Sequence, residues 1–351
     1  MTSRAARTAV LRTPAGVSLR YRPRALAVAG GCLVVALAVG VLLIGTGDFP
    51  MTPAEVIRTL AGRGGPAESL IVNEIRLPRV VTGLAVGAAL GLGGAIFQSL
   101  TRNPLGSPDI LGFTSGASTG VLVMIVLAGG GGVAVASGAA AGGIATGLLI
   151  YAVAGRDGAH GQRLVLVGIG TAAILTGVNG YLLTQAHITE AARAVLWLTG
   201  SLDGRDWADA APVLVALAVL GPLVAVGCEG ARCGCWSWGS TPRTGSASRS
   251  SAPGMLMLAA AVLLTALAAA AAGPVAFVAL TAPLLARRLT RASGPGLLPA
   301  MCMGAALLVA ADWLAQNAFP GRQLPVGVVT GLLGGGYLVW LLVAERKRGR
   351  I

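Results

Sequence analysis

The chain has 351 residues, of which 55% are hydrophobic and only 11% charged, and its mean hydropathy is +0.78. Soluble domains carry about 25% charged residues, so this composition excludes one and leaves the bilayer as the solvent that suits the chain. The net charge of +13 does not indicate nucleic acid either: the basic groups lie between apolar runs with few aromatics, a placement that reads as membrane topology.

In chain order, a basic tail over 1–24, with Arg4, Arg7, Arg12, Arg20, Arg22 and Arg24, precedes the first apolar run. That run, 25–45, is too long for the core of a signal peptide, and Gly47-Asp48-Phe49-Pro50 lacks a small-x-small cleavage site. An uncleaved first span is predicted. Apolar windows of about 18 residues or more must be helical in hydrocarbon, because no water is present to satisfy the backbone. Windows and polar breaks predict spans near 25–46, 80–100, 111–129, 132–154, 164–186, 208–227, 254–272, 274–286, 297–318 and 325–344. The expected class is an all-α polytopic membrane protein with about ten transmembrane helices, forming one domain over 25–345 with a short basic tail at 346–351.

The region 254–286 reads either as one kinked span or as two short ones parted by Gly273-Pro274. Counting two puts both basic tails and the Arg287, Arg288, Arg291 cluster on one side, which the positive-inside rule makes cytoplasmic. The other side then keeps Arg58, Arg63, Arg76, Arg79, Arg193, Arg205 and Arg322 with acids such as Glu55, Glu68, Asp203 and Asp209. Two segments there, 52–60 and 189–199, are amphipathic and read as interfacial helices. Small residues recur every four positions, at Gly83, Gly87 and Gly91, at Gly112, Gly116 and Gly120, and at Gly327, Gly331 and Gly335. These are expected helix-packing faces, because helices in lipid gain contact energy only by close backbone approach.

Chemistry is scarce. The only lysine is Lys347, so no Gly-x-x-x-x-Gly-Lys phosphate loop exists, and any ATP that drives this chain is hydrolysed by another polypeptide. His160 and His187 fall on opposite sides of the predicted topology, which leaves no triad or histidine metal site, and Ser115 lacks a histidine partner. Cys228, Cys233 and Cys235 do not follow zinc spacing, and the five cysteines form no disulfide framework. No catalytic residue, metal site or cofactor is expected in the chain itself. Asp312 is the one acid well inside an apolar run; it reads as an ion or proton site or, preferably, as a helix-anchoring hydrogen bond, since no second buried titratable group completes a relay.

Specific motifs add to this reading. Arg76-Leu77-Pro78-Arg79 and Asn103-Pro104-Leu105-Gly106-Ser107-Pro108-Asp109-Ile110-Leu111-Gly112 are followed by Trp197-Leu198-Thr199-Gly200-Ser201-Leu202, Gly273-Pro274-Val275-Ala276-Phe277-Val278 and Leu324-Pro325-Val326-Gly327. Together they resemble the iron-siderophore and vitamin B12 family of ABC importer permeases, most closely its ferric enterobactin branch, from about residue 25 onward. The resemblance implies a second permease subunit, with a heterodimer favoured, two cytoplasmic ATPases and an extracytoplasmic binding protein delivering a ferric siderophore, all at a bacterial inner membrane with both termini cytoplasmic. It implies that Arg76, Arg79 and Arg322 dock the binding protein. It further implies that Asn103, Pro104, Pro108, Gly155, Gly158 and Gly161 belong to inner gate and cytoplasmic loops, and that Glu229, Arg232 and Gly239 lie in the ATPase-coupling loop at 228–253. The alternative from another class is an ion-coupled carrier that works without an ATPase and depends on Asp312.

That coupling loop departs from the family. A helical Leu-Glu-Leu-Gly-like start is expected, but Cys235-Trp236-Ser237-Trp238-Gly239 and a Ser/Arg/Gly run stand there instead. The codons CTG GAG CTG GG read one base out of register yield Cys-Trp-Ser-Trp-Gly, so the segment reads as a local frameshift restored near Gly254. Resequencing of the gene from independent clones is expected to reveal the compensating base changes; an uninterrupted frame through these residues would overturn the frameshift.

Overall fold

A computed structural model describes residues 9–12, 18–21, 23–47, 49–154, 161–230, 252–292, 296–319 and 323–346. Apart from an antiparallel ribbon of β1 (Ala9–Arg12) and β2 (Ser18–Tyr21), its regular structure is helical. In order these helices are α1 (Pro23–Gly45), α2 (Pro53–Leu60), α3 (Pro66–Leu70), α4 (Leu77–Thr101), α5 (Phe113–Leu122), α6 (Gly132–Ala154) and α7 (Gly161–Gln185). They continue with α8 (Ile188–Leu198), α9 (Trp207–Gly230), α10 (Ala252–Ala272), α11 (Val278–Thr290), α12 (Leu297–Asn317) and α13 (Val326–Arg346).

Each predicted span window holds a helix. Among the described residues, seven helices are long and apolar enough to cross a bilayer, and Phe113–Leu127 and Val326–Leu341 are apolar but shorter. Helix α11 has 13 residues, about 20 Å at 1.5 Å per residue, against a hydrocarbon core of about 30 Å. It is separated from α10 by the non-helical stretch 273–277, so the region expected as one kinked span or two is two helices with a break. The second span begins earlier than its hydropathy indicates. Helix α3 runs through a π-helical turn, Ile71–Arg76, directly into α4, and Asn73, Glu74 and Arg76 hide this continuation from an apolar window.

Local caps explain the short helices α2 and α3. Thr52 and Glu55 form a reciprocal cap at the start of α2, with the Thr52 amide donating to Glu55 Oε2 at 2.7 Å and the Glu55 amide donating to Thr52 Oγ1 at 3.4 Å. These bonds hold the Glu55 carboxyl below its usual range, the Thr52 backbone bond being the first cause. The amide of Gly65 likewise donates to Glu68 at 3.0 Å, with Pro66 opening α3.

Helix α4 is the centre of the bundle, packed against α12, α10, α11 and α9. Its small residues make this possible. A Cβ on Gly87 would strike the Gly304 carbonyl of α12, one on Gly91 the Ala300 carbonyl, and one on Gly94 the Ala279 carbonyl of α11. Pro283 lies four residues after Ala279 and has no amide to offer that carbonyl, so the oxygen left without a helical donor is the one turned to Gly94. A second crossing of the same kind joins α5 to α6, where Gly116 and Gly120 meet Gly142 and Gly138. Gly83 is packed less tightly, since a Cβ there would meet only side chains, Leu202 Cδ1 nearest at 3.1 Å, and Gly327 is closed in by the Thr199 carbonyl. Gly331 differs from the packing expected of it. Among the described residues nothing lies within 4 Å of where its Cβ would stand.

Overpacking of a close helix crossing costs about 1–3 kcal/mol. Gly94→Ala is therefore expected to lower the thermal midpoint and the monodisperse yield in detergent, whereas Gly30→Ala on α1, where nothing lies within 4 Å, is expected to leave both unchanged; size-exclusion profiles after a heating series compare the two.

Candidate functional site

The polar groups that the apolar bundle retains gather mainly at one end, where α4 begins and α12 finishes. Arg79 sits in the first turn of α4 and is half-buried there. Its Nε donates to Asp312 Oδ2 at 3.0 Å and its Nη2 to Asp312 Oδ1 at 2.9 Å, a two-pronged pair. Its Nη1 donates to Asp203 Oδ1 at 3.0 Å in the loop between α8 and α9. Gln316, one turn beyond Asp312, donates to the same carboxylate at 3.1 Å. The two carboxylates differ in surroundings: the Asp312 side chain is 2% exposed and that of Asp203 72%. Asp312 is therefore held to α4 by a charge-assisted pair with Arg79. What sequence reasoning missed was the partner. A single acid in an apolar run needs a cation at matching depth, and Arg79, assigned to the surface, was the available one.

Arg76 is also engaged. Its Nη1 donates to the Ile44 carbonyl at 2.6 Å and its Nη2 to the Phe49 carbonyl at 2.9 Å. The first of these carbonyls belongs to the last turn of α1, which has no helical donors of its own. Gly47, at φ +126°, brings the backbone beside this guanidinium. Trp207 ties the start of α9 to the π turn by donating to the Asn73 carbonyl at 3.2 Å. Arg322 lies outside the described residues.

Three motifs far apart in sequence converge beside this cluster. The Gly200 carbonyl accepts from the Gly327 amide at 3.1 Å, and the Ala272 carbonyl accepts from the Ser201 amide at 2.8 Å. Gly200 and Gly273 both have positive φ, +72° and +74°, and each faces the other's segment: a Cβ on Gly200 would strike the Pro274 carbonyl and one on Gly273 the Trp197 carbonyl. Any side chain would both strain the backbone and collide. Phe277, at φ +67°, starts α11 and fills the space left by Gly334 of α13. The loop after α8, the break before α11 and the start of α13 thus form one junction.

At the opposite end of α4, Arg102 takes a left-handed conformation (φ +50°) and closes the helix. Asn103 Oδ1 accepts from the Leu105 amide at 2.9 Å, and the Asn103 carbonyl accepts from the Gly106 amide at 3.0 Å. Pro104 is held within this turn, and Pro108 opens a 3-10 turn, Pro108–Leu111. Asp109 in that turn has an Oδ1 sheltered from solvent that meets no donor among the described residues. Burial pushes its carboxyl up to about 7. Gly161 begins α7, while Gly155 and Gly158 lie outside the described residues. Glu229 falls in the last turn of α9, its side chain outside the described residues, as are Arg232 and Gly239.

Polar groups not singled out in the sequence also join helices. Gln98 is buried and donates through Nε2 to the Leu280 carbonyl at 3.1 Å, and Thr119 Oγ1 donates to Asn179 Oδ1 at 2.6 Å. Among the described residues no group of three His, Cys, Asp or Glu is placed to hold a metal ion.

Residues 33–344 match the FecCD transport family. The chain is 41% identical over 339 residues to the ferric enterobactin transport system permease protein FepG of Escherichia coli, covering 95% of this chain and 99% of that protein. It is 34% identical to FepD, a ferric enterobactin transport system permease protein of the same organism, over 93% of this chain and 97% of FepD. Its fold resembles that of a metal-chelate type ABC transporter solved in an inward-facing conformation, with a TM-score of 0.74 over 91% of this chain and 99% of that one at 21% identity.

Two outcomes follow from the polar geometry. Removing one partner of a buried pair costs about 3–5 kcal/mol, because the other charge is stranded. Asp312→Ala is therefore expected to lower thermal stability strongly, and the double variant Arg79→Gln/Asp312→Asn to recover most of the loss. For Asp109, the folded state keeps a proton between about pH 4 and 7 that the unfolded chain has released, so stability falls as pH rises through that window. Asp109→Asn is expected to flatten this slope, as read from thermal midpoints between pH 5 and 8 for the variant and the parent protein.

Proposed function

The chain belongs to the FecCD transport family, and from that membership we propose that it is the membrane-spanning permease subunit of an ABC importer for a ferric siderophore of the catecholate class. The observation that carries this reading is the similarity to ferric enterobactin permeases along nearly the whole chain. The absence of any phosphate loop from the sequence supports it, since the energy must then come from separate ATPase subunits.

In the proposed assembly this chain pairs with a second, different permease, two ATPases sit on the cytoplasmic side, and a binding protein delivers the chelate from outside. Both termini face the cytoplasm. The substrate path opens alternately to each side as the ATPases close and separate. Glu229 at the end of α9, with Arg232 and Gly239 following it in sequence, is assigned to ATPase coupling, and Asn103, Pro104 and Pro108, with Gly155, Gly158 and Gly161 by their sequence positions, to the inner gate. No metal ligand is required of the permease, because the iron travels already wrapped in its chelator.

Arg76, Arg79 and Arg322 are assigned to the docking face. Arg76 also ties down the end of α1, so its contribution there is partly architectural. The ion-coupled alternative needs an acid free to load a cation, and the bidentate engagement of Asp312 by Arg79 weighs against it.

Uptake of radiolabelled ferric enterobactin by cells carrying the complete importer, with and without an intact ATPase subunit, tests the reading. Accumulation is expected to fall to background without ATP hydrolysis and to persist when the proton gradient is collapsed. Uptake that follows the gradient and ignores the ATPase would establish the carrier instead.

A further inference from the structure

We propose that Asp203 is a built-in stand-in for the carboxylate of the docking partner, holding the outward nitrogen of Arg79 until the binding protein replaces it. The inference rests on the docking role assigned to Arg79 above and says how that docking is made and released.

The geometry separates the two carboxylates on Arg79 by their exchangeability. Asp312 takes two of the three guanidinium nitrogens, at 3.0 and 2.9 Å, from a side chain 2% exposed. Its departure would strand a charge inside the bundle, so this contact fixes the plane of the guanidinium. The remaining nitrogen, Nη1, is thereby aimed at Asp203 at 3.0 Å, whose side chain is 72% exposed. An exposed pair is screened by water and salt and is individually weak. An acid arriving from solvent therefore meets the weakly held member, and an exchange of one carboxylate for another leaves the buried pair intact. Without a stand-in, Nη1 would be left to water at each dissociation; with one, it keeps a carboxylate partner between docking events.

The position of Asp203 in the chain adds to the argument. Its amide is held by Ser201 Oγ at 3.1 Å. Ser201 and Gly200 in turn bond the end of α10 and the start of α13. The residue displaced by docking therefore belongs to the loop that closes the three-segment junction. Asp206, three residues on, does not touch Arg79: it caps the first turn of α9 by accepting from the Ala208 amide at 2.8 Å. It supplies a neutralisation of equal charge in the same loop.

The test measures binding of the importer's own siderophore-binding protein, loaded with ferric enterobactin, to the complete permease–ATPase complex in nanodiscs. Biolayer interferometry at about 0.15 M salt, where the Debye length is about 8 Å, limits bulk charge effects. Asp203→Asn is expected to tighten binding about three- to fivefold, the scale of one exposed ion pair, and Asp206→Asn to leave it unchanged. In an Arg79→Gln/Asp312→Asn background, which binds more weakly, Asp203→Asn is expected to change nothing. If that background does not assemble, Arg79→Lys replaces it, since a lysine has no fixed fork to serve both acids. Equal tightening by Asp203→Asn and Asp206→Asn, or tightening that persists in the altered background, would reduce the effect to overall charge and overturn the exchange. No change with Asp203→Asn while the altered background weakens binding would overturn the exchange and leave Arg79 as a docking residue. Undiminished binding in the altered background would remove Arg79 from docking, and the stand-in with it.

Discussion

Helix α4 is enclosed by protein on nearly every side, and the remaining architecture depends on how closely its neighbours can reach it. In hydrocarbon there is no hydrophobic drive to press helices together; attraction comes from short-range contacts that decay within a fraction of an ångström of separation. Gly87 and Gly91 let α12 approach to backbone contact, and Gly94 does the same for α11. The short helix α11 can start from a non-helical break at 273–277 because protein surrounds that break, where lipid would not be tolerated against unpaired backbone groups.

The close approach of α4 and α12 also brings Arg79 level with Asp312. An aspartate costs about 2.5–3.5 kcal/mol at the centre of a membrane helix, and an arginine nearby converts that cost into a directional link. The link lies at one end of the helix pair, so it fixes the rotation of α4 about its own axis while the glycines fix its distance. One arginine then ties three elements, α4, α12 and the loop before α9. Adjacent to it, Gly200, Gly273 and Gly327 bring the backbone of that same loop together with two further segments. The Arg79 cluster and the helix break are therefore neighbours, an arrangement that would let docking at the proposed face reach the helices beneath.

Much of the candidate site could be read from the chain. The motif pairs around Arg76 and Asn103 stood out because unusual residues are conspicuous in an apolar background. The partners of those residues could not be read. Arg79 and Asp312 are 233 positions apart, and nothing in their local sequence states that they meet. The engagement of Arg76 with the end of α1 was likewise hidden, as was the early start of the second helix, where polar residues in the π turn interrupt the apolar signal. Gly331 belongs to a four-residue spacing indistinguishable from that of Gly327, yet among the described residues a Cβ at Gly327 would strike another segment and one at Gly331 would not.

By itself the sequence determined that this chain lives in a bilayer, that its long apolar runs are helices, that the chain is interrupted in some way at Gly273-Pro274, and that any nucleotide chemistry must come from another polypeptide. Those conclusions rest on properties of short windows: hydropathy, the need of each backbone amide for a partner, and the presence or absence of a motif. Tertiary structure alone decided which carboxylates Arg79 holds, which glycines are contacts, and that three distant motifs share one junction. These depend on distances between segments, and such distances are set by the packing of the whole bundle.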